Sequence, residues 1–165
     1  MKKMIYIISS LLILLFLLYG CNHTHIKVKE DLRNYVNSIN SINALRNDAL
    51  NDYSGIVGKN YRSDENSLVV LSKIVIPKYN YFLENLKRLN PSCKEVRELH
   101  TLYLNASVKQ ISSLNGFREA MEKRDKSILK ENERLFKESS KELKQFKKKL
   151  KKLASKYKLN LDLEL

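Results

Sequence analysis

The apolar positions of this chain recur mostly at intervals of three and four residues, which is the spacing of one face of an α-helix. Four such stretches follow one another along the chain. The first runs over 28–57, and the second has its apolar positions between residues 68 and 89. The third runs over 96–121 and the fourth over 128–157. The pattern therefore predicts an all-α fold with four long helices.

Residues that favour helix ends lie between these stretches. Gly58 follows the first stretch, and Ser63 with two acids behind it is a favourable cap for the second. Ser92 and Glu95 fit the capping box, in which each side chain satisfies a free backbone donor of the other, at the start of the third helix. Asp125 is a candidate cap for the fourth helix. These signals favour four separate helices.

Four helices of similar length with short connections predict an antiparallel four-helix bundle. The alternative is a three-helix arrangement in which residues 93–158 form one long C-terminal helix, because neither Gly nor Pro enforces a turn at 123–126. Pro77 lies inside the second stripe. Since an interior proline removes a backbone donor, we expect a kink near 73–77.

The two ends of the chain depart from this pattern. Lys2 and Lys3 precede an apolar stretch over 5–18, the arrangement of a secretory signal. At about 14 residues the stretch is short for a membrane span, which needs about 20. Residues 159–165 alternate leucine with polar residues, a period of two that fits a tail extended along the bundle or a tail without fixed structure.

The tetrapeptide Leu18-Tyr19-Gly20-Cys21 follows the apolar stretch directly. It resembles the lipobox of bacterial lipoproteins, although Tyr19 is bulkier than the small residue usual at that position. The resemblance implies that a diacylglycerol is attached to the Cys21 sulfur and that the signal peptide, residues 1–20, is then removed. It also implies a protein held by acyl chains, palmitate among them, at the extracytoplasmic face of the cell membrane.

On this interpretation the chain has three parts after the signal. Residues 21–27 are the lipidated N-terminus and a polar tether, 28–158 are the helical bundle domain, and 159–165 are the C-terminal tail. The bundle domain resembles the small helical lipoproteins of low-GC bacteria in general character, and this likeness implies no particular function. A lipidated Cys21 cannot form a disulfide, so we expect Cys93 to be a lone thiol.

Composition narrows the classes of function. Only four of 165 residues are Gly and two are Pro, which disfavours β-sandwiches, barrels and glycine-rich phosphate-binding loops. The chain has no recognisable catalytic motif, and we expect neither an enzyme nor a cofactor. His23 and His25 are too few ligands for a zinc site, so we expect no metal centre. His100 is expected to bond to a neighbouring helix.

The strongest chemical feature is positive charge. The chain has 31 Lys and Arg against 18 Asp and Glu, a formal net charge of +13. Between residues 141 and 158 there are nine lysines and one acid. This segment is either a solvated helix face or a contact surface for a polyanion, with four central lysines as the candidate contacts: Lys147, Lys148, Lys151 and Lys152.

The export signal sets which partners we expect. Outside the cell the available polyanions are lipid headgroups and anionic envelope polymers, and a protein partner is the other option. Nucleic acid is not expected, since the segment also lacks the arginine that favours bidentate phosphate recognition. We therefore expect a non-enzymatic helical interaction module anchored to the membrane. The alternative is a lipoprotein that holds a small or lipidic ligand between its helices.

Two further groups of polar and aromatic residues recur at helical spacing. Asparagines in the first helix form a strip that we expect to be exposed: Asn40, Asn43, Asn47 and Asn51. Three aromatic residues beside Pro77 are expected in the core, with a ligand pocket as the alternative: Tyr79, Tyr81 and Phe82.

Overall fold

The computed structural model describes the backbone of residues 2–160 and the side chains of residues 25–160. The described chain contains five α-helices and no strand: α1 (Lys2–Ser54), α2 (Asp64–Val70), α3 (Ile76–Arg88), α4 (Lys94–Lys123) and α5 (Lys126–Lys156). A 3-10 turn, Gly58–Asn60, follows α1, and a π-helical segment, Leu71–Val75, joins α2 to α3. Because this junction is continuous, α2 and α3 form one rod, and the predicted all-α class with four helices is confirmed.

Two ring contacts of α1, one at residue 25 and one near its C-terminal end, give the direction of α5. The ring of His25 contacts that of Tyr157, just after the end of α5. Tyr53, near the other end of α1, contacts Phe136 in the first third of α5. Helices α1 and α5 are therefore antiparallel. We call the end that holds His25 and the end of α5 the basal end, and the end that holds the α4–α5 turn the distal end.

The apolar stripes of the four rods meet in one core. Leu32 and Ile39 come from α1, and Phe82 and Leu86 come from α3. Both long C-terminal helices add large side chains that are fully buried, among them Tyr103, Leu114, Phe146 and Leu150. Each buried Leu, Ile or Phe contributes about 1.5–3 kcal/mol relative to its exposed state, so the core is the main source of stability.

The turn between α4 and α5 decides between the two predicted architectures. Arg124 has a φ of 52°, in the left-handed region. The amide of Asp125 donates to the carbonyl of Ala120 at 2.9 Å, and the amide of Arg124 donates to that of Met121, which together close a Schellman motif. Asp125 then caps α5 by accepting from the amide of Ser127. The chain reverses here, so the single long C-terminal helix is excluded.

The irregularity expected at Pro77 takes the form of a π-helical turn. The amide of Ile76 donates to the carbonyl of Leu71, five residues back. Pro77, which has no amide hydrogen to donate, follows directly at the second position of α3.

The predicted caps of the second and third helices had different outcomes. Ser63 accepts from the amide of Asn66 at 3.2 Å, as predicted. The prediction of a capping box formed by Ser92 and Glu95 is wrong, because no side-chain cap of this kind forms at the start of α4. Instead the carboxylate of Asp31 in α1 accepts from the amides of Ser92 at 3.1 Å and Cys93 at 2.8 Å. A cap supplied from some sixty residues away ties α1 to the start of α4.

The core of the bundle begins near Val28 in α1 and extends to Leu159, just after α5. The backbone of α1 is helical through the predicted tether, 21–27, and Val28 is the first buried residue among the described side chains. At the other end Lys158 is left-handed, the amide of Leu159 donates to the carbonyl of Ala154, and Leu159 packs on the core. The rest of the predicted tail, 161–165, lies outside the described residues.

Replacing Arg124 by glycine is expected to raise the free energy of unfolding by about 1 kcal/mol, because a left-handed backbone costs a residue with a Cβ roughly that amount. Urea denaturation of the full chain, followed by circular dichroism, measures the change. Asn105→Gly, at an exposed position inside α4, is the control and should lower the stability. An Arg124→Gly variant no more stable than the wild type would contradict this account of the turn.

Candidate interaction surfaces

The positive charge of the bundle is concentrated at its basal end. A layer formed by Asn43, Phe82, Tyr103 and Phe146 crosses all four rods near mid-height. We divide the bundle just distal to it. The basal half, residues 25–45, 82–107 and 144–160, has 15 Lys and Arg against five Asp and Glu, a net charge of +10. The distal half, residues 46–81 and 108–143, has 14 against 11, a net charge of +3.

The ion pairs of the bundle show the same asymmetry. The seven that we describe all lie in the distal half, and they include Lys78 with Asp52, Lys109 with Glu142 and Lys123 with Glu119. Acids in the distal half thus offset its cations locally. On the basal part of α5, from residue 144 to the end of the helix, there is no acid at all.

The lysines predicted as polyanion contacts are not equivalent. Lys148, Lys151 and Lys152 are exposed on the outer face of α5. Lys147 is half-buried, and its pKa is lowered by burial and by the nearby charges of Arg46 and Lys151. The structure therefore places three of the four on a common exposed face. Lysines that sequence reasoning did not single out extend this face, namely Lys144, Lys149, Lys156 and Lys158.

A cleft of about 600 Å³ opens at the distal end. Tyr53 and Phe117 line it, with their rings stacked at 5.8 Å between centroids. Burial raises the pKa of Tyr53 to about 12, so its hydroxyl is neutral at ordinary pH. Tyr61 and Leu129, 48% and 37% exposed, also line it. The sequence contained no signal for this cleft, because its lining comes from α1, the 55–63 connection, α4 and α5.

Charged residues of both signs stand beside the apolar lining of this cleft. Asp64 and Glu133 are acidic, and Arg124 and Lys126 are basic. The hydroxyl of Tyr61 donates to the carboxylate of Asp64 at 2.9 Å. An apolar floor with a mixed charged rim suits an amphipathic small molecule or an apolar side chain of a partner.

Buried polar groups join three rods in the middle of the bundle. Gln110 in α4 accepts through Oε1 from the Tyr79 hydroxyl at 2.8 Å and from the Arg46 guanidinium at 2.9 Å. The Tyr103 hydroxyl donates to Oδ1 of Asn43 at 2.6 Å. Burial raises the pKa of both tyrosines, which therefore remain neutral donors. This network positions helices rather than a substrate.

The two predictions for residues at helical spacing have different outcomes. The asparagine strip is not an exposed face, because Asn43 is buried and Asn40 and Asn47 are half-buried, which leaves Asn51 exposed. The prediction that the aromatic residues beside Pro77 lie in the core is confirmed for Tyr79 and Phe82, whereas Tyr81 is 59% exposed. A period of three or four identifies a face, but the neighbouring helices decide how much of it is covered.

His100 and Cys93 lie in α4 and at its start. Nδ1 of His100 is buried without a partner, so the expected bond to a neighbouring helix is not formed at that atom. Its ring meets that of Tyr35 edge-on at 5.8 Å. Cys93 is a buried free thiol. Among residues 25–160 no three His, Cys, Asp or Glu side chains are grouped closely enough to hold a metal ion.

In the part of the chain that the structure describes, we find no helix whose length and apolar character would suffice to cross a bilayer.

Acidification is expected to weaken the fold through His100. Burial lowers the pKa of its imidazole below the ordinary value of 6.5. The unfolded chain then binds this proton more readily than the folded chain, so the stabilisation is fully present above the ordinary pKa and is lost as the pH falls through it. Urea midpoints measured at pH values of about 7.5 and 5.5 test this. His100→Leu should show a smaller difference between the two.

A comparison of the chain with protein-family models, with curated proteins and with solved structures finds no match. The function therefore has to be inferred from the residues and the surfaces described above.

Proposed function

We propose that this protein is a lipid-anchored envelope protein that acts as a non-enzymatic helical interaction module at the extracytoplasmic face of the cell membrane. The observation that carries the proposal is the net charge of +10 in the basal half, the half from which α1 leads back to Cys21. A membrane-anchored module needs a surface compatible with anionic headgroups at the end that faces the lipid, and the basal end has that character.

The bundle is long enough for its two ends to contact different partners. Helix α5 has 31 residues and spans roughly 46 Å at 1.5 Å per residue. The basal end then lies beside the anchor, and the distal end with its apolar cleft lies far from it. In this arrangement the basal lysines, with Lys148, Lys151 and Lys152 exposed, contact a polyanion, and the distal surface remains accessible to a protein partner.

The polyanion in this proposal is a lipid headgroup or an anionic envelope polymer. Both present phosphate-type charges that lysine contacts as a point charge, without the bidentate geometry of arginine. Nucleic acid is not proposed, because the lipobox directs the chain outside the cell. No cofactor is required for such a role.

The anchor can be tested on Cys21. Mass spectrometry of the protein purified from membranes should give a chain that begins at Cys21 and carries the mass of attached acyl chains. Cys21→Ser should retain residues 1–20 and carry no acyl mass. Cys93→Ser is the matched control, and since Cys93 is a buried thiol away from the lipobox, this variant should be processed like the wild type.

The opposite results would exclude the anchor. An unmodified Cys21 in the wild-type chain, or acyl mass retained in Cys21→Ser, contradicts lipidation at this residue. Loss of processing in Cys93→Ser would show that the Cys21 result reflects a folding defect.

A second candidate function is favoured by the distal cleft. Its volume of about 600 Å³ lies within the range of small-molecule sites. The cleft opens at the distal end of the bundle. The alternative function predicted from the sequence places the ligand between the helices instead. An amphipathic ligand would place its apolar part against Tyr53 and Phe117 and its polar part at the charged rim.

Because the chain contains no tryptophan, one introduced at the cleft is a clean reporter for such a ligand. A spin-labelled fatty acid should quench the fluorescence of Leu129→Trp in a saturable way, since Leu129 lines the cleft. Val69→Trp, at an exposed apolar position on α2, should not be quenched. Equal quenching at both positions, or none at either, would exclude a lipidic ligand from this cleft.

A further inference from the structure

We propose that the basal end of the bundle docks on the anionic surface of the bilayer that holds its own anchor. The contact is made by exposed lysines in the last turns of α5. This inference rests on the proposed lipid anchor and names the polyanion that the proposed function leaves open. It concerns which surface the lysines contact and how the bundle is oriented on it.

The first argument is the position of α5 relative to the anchor. The rings of His25 and Tyr157 contact each other with centroids 4.6 Å apart. His25 follows Cys21 by four residues on a helical backbone, which is about 6 Å along the helix axis. The end of α5 is therefore held at nearly the same height as the residue that carries the lipid.

The second argument is the height of the exposed lysines. Lys156 and Lys152 precede Tyr157 by one and five residues, or roughly 1.5 and 7.5 Å along α5. Together with the offset to Cys21, this places both within about two Debye lengths of the anchor at physiological ionic strength, where that length is about 8 Å. At this distance the negative surface potential of an anionic leaflet attracts their charges.

The third argument is that the other three rods also carry exposed cations near the basal end. Lys27 on α1, Arg88 at the end of α3 and Lys94 at the start of α4 are all exposed. Of the acids nearby, Asp31 is engaged by the amides of Ser92 and Cys93. A flat anionic surface can contact cations from all four rods at once. A single extended polymer would need only one row of lysines.

Docking in this way orients the molecule. The basal end meets the headgroups, the helices rise from the membrane, and the distal cleft points away from it. A polymer or protein that needed the same lysines would have to compete with a bilayer that lies within about two Debye lengths of Lys152 and Lys156. The observations therefore favour the bilayer as the partner of this surface.

The test uses the lipidated protein purified from membranes and reconstituted into vesicles. A fluorescent donor is attached at Ser155→Cys in the Cys93→Ser background, and an acceptor is placed on the lipid headgroups. Energy transfer should be greater in vesicles of phosphatidylcholine with phosphatidylglycerol than in phosphatidylcholine alone. It should fall to the neutral-vesicle level when salt is raised from about 0.1 M to about 1 M, because the Debye length shrinks from about 10 Å to 3 Å.

Two variants with the same change in charge separate the basal lysines from charge in general. The basal variant replaces Lys148, Lys151, Lys152 and Lys156 by Gln, and all four are exposed. This variant should reduce the equilibrium constant for docking at least tenfold, since each lysine at an anionic surface raises that constant by a factor of about five. The control variant makes the same replacement at four exposed lysines of the distal half and should behave like the wild type: Lys73, Lys130, Lys137 and Lys141.

Every other result overturns the inference. Equal energy transfer in neutral and anionic vesicles, or equal effects of the two variants, shows that the basal lysines do not dock on lipid. A response that requires added poly(glycerol phosphate) identifies an envelope polymer instead. Flotation with the vesicles reports the anchor separately, so a protein that floats without docking contradicts this inference alone, and one that does not float contradicts the proposed anchor.

Discussion

The reversal of the chain at Arg124 and Asp125 is the constraint on which the distribution of charge depends. A left-handed residue ends α4, and the following carboxylate caps α5. If residues 94–158 were one helix, Lys152 would lie roughly 87 Å from the start of α4. The turn instead returns α5 along α4, so that its lysines lie beside the start of the bundle. Both the basal charge and the distal cleft follow from this reversal.

A second set of interactions holds the other rods in register with this hairpin. Asp31 caps the start of α4 from α1, and Gln110 receives hydrogen bonds from Arg46 in α1 and Tyr79 in α3. Buried polar groups are costly unless they are paired, so each of these bonds disfavours a shifted register. They are short-range, directional contacts, whereas the apolar core alone would tolerate sliding. The relative height of His25 and Tyr157 depends on them.

The two ends of the bundle consequently differ in chemistry. Opposite charges pair with each other in the distal half, and the aromatic lining of the cleft is left partly open. In the basal half, cations gather on the exposed face of α5 without acids in the same segment. Like charges in such proximity repel one another, which costs stability, and an anionic surface offsets that cost. The interaction function that we propose for the basal end accounts for this concentration of positive charge.

The sequence by itself determined the helical class and the cap at Ser63, because these depend on periodicity and on side chains within one helical turn. It marked Asp125 as a candidate cap but left four helices and one long C-terminal helix both open, because neither Gly nor Pro enforces a turn at 123–126. It also contained the lysine-rich segment and the tetrapeptide, residues 18–21, that resembles a lipobox. Only the tertiary structure decided that Asp31 replaces the Ser92 capping box, that Asn43 is buried and Lys147 half-buried, and that a cleft opens between Tyr53 and Leu129. Each of these depends on residues far apart in the chain, whose meeting is set by how the helices pack.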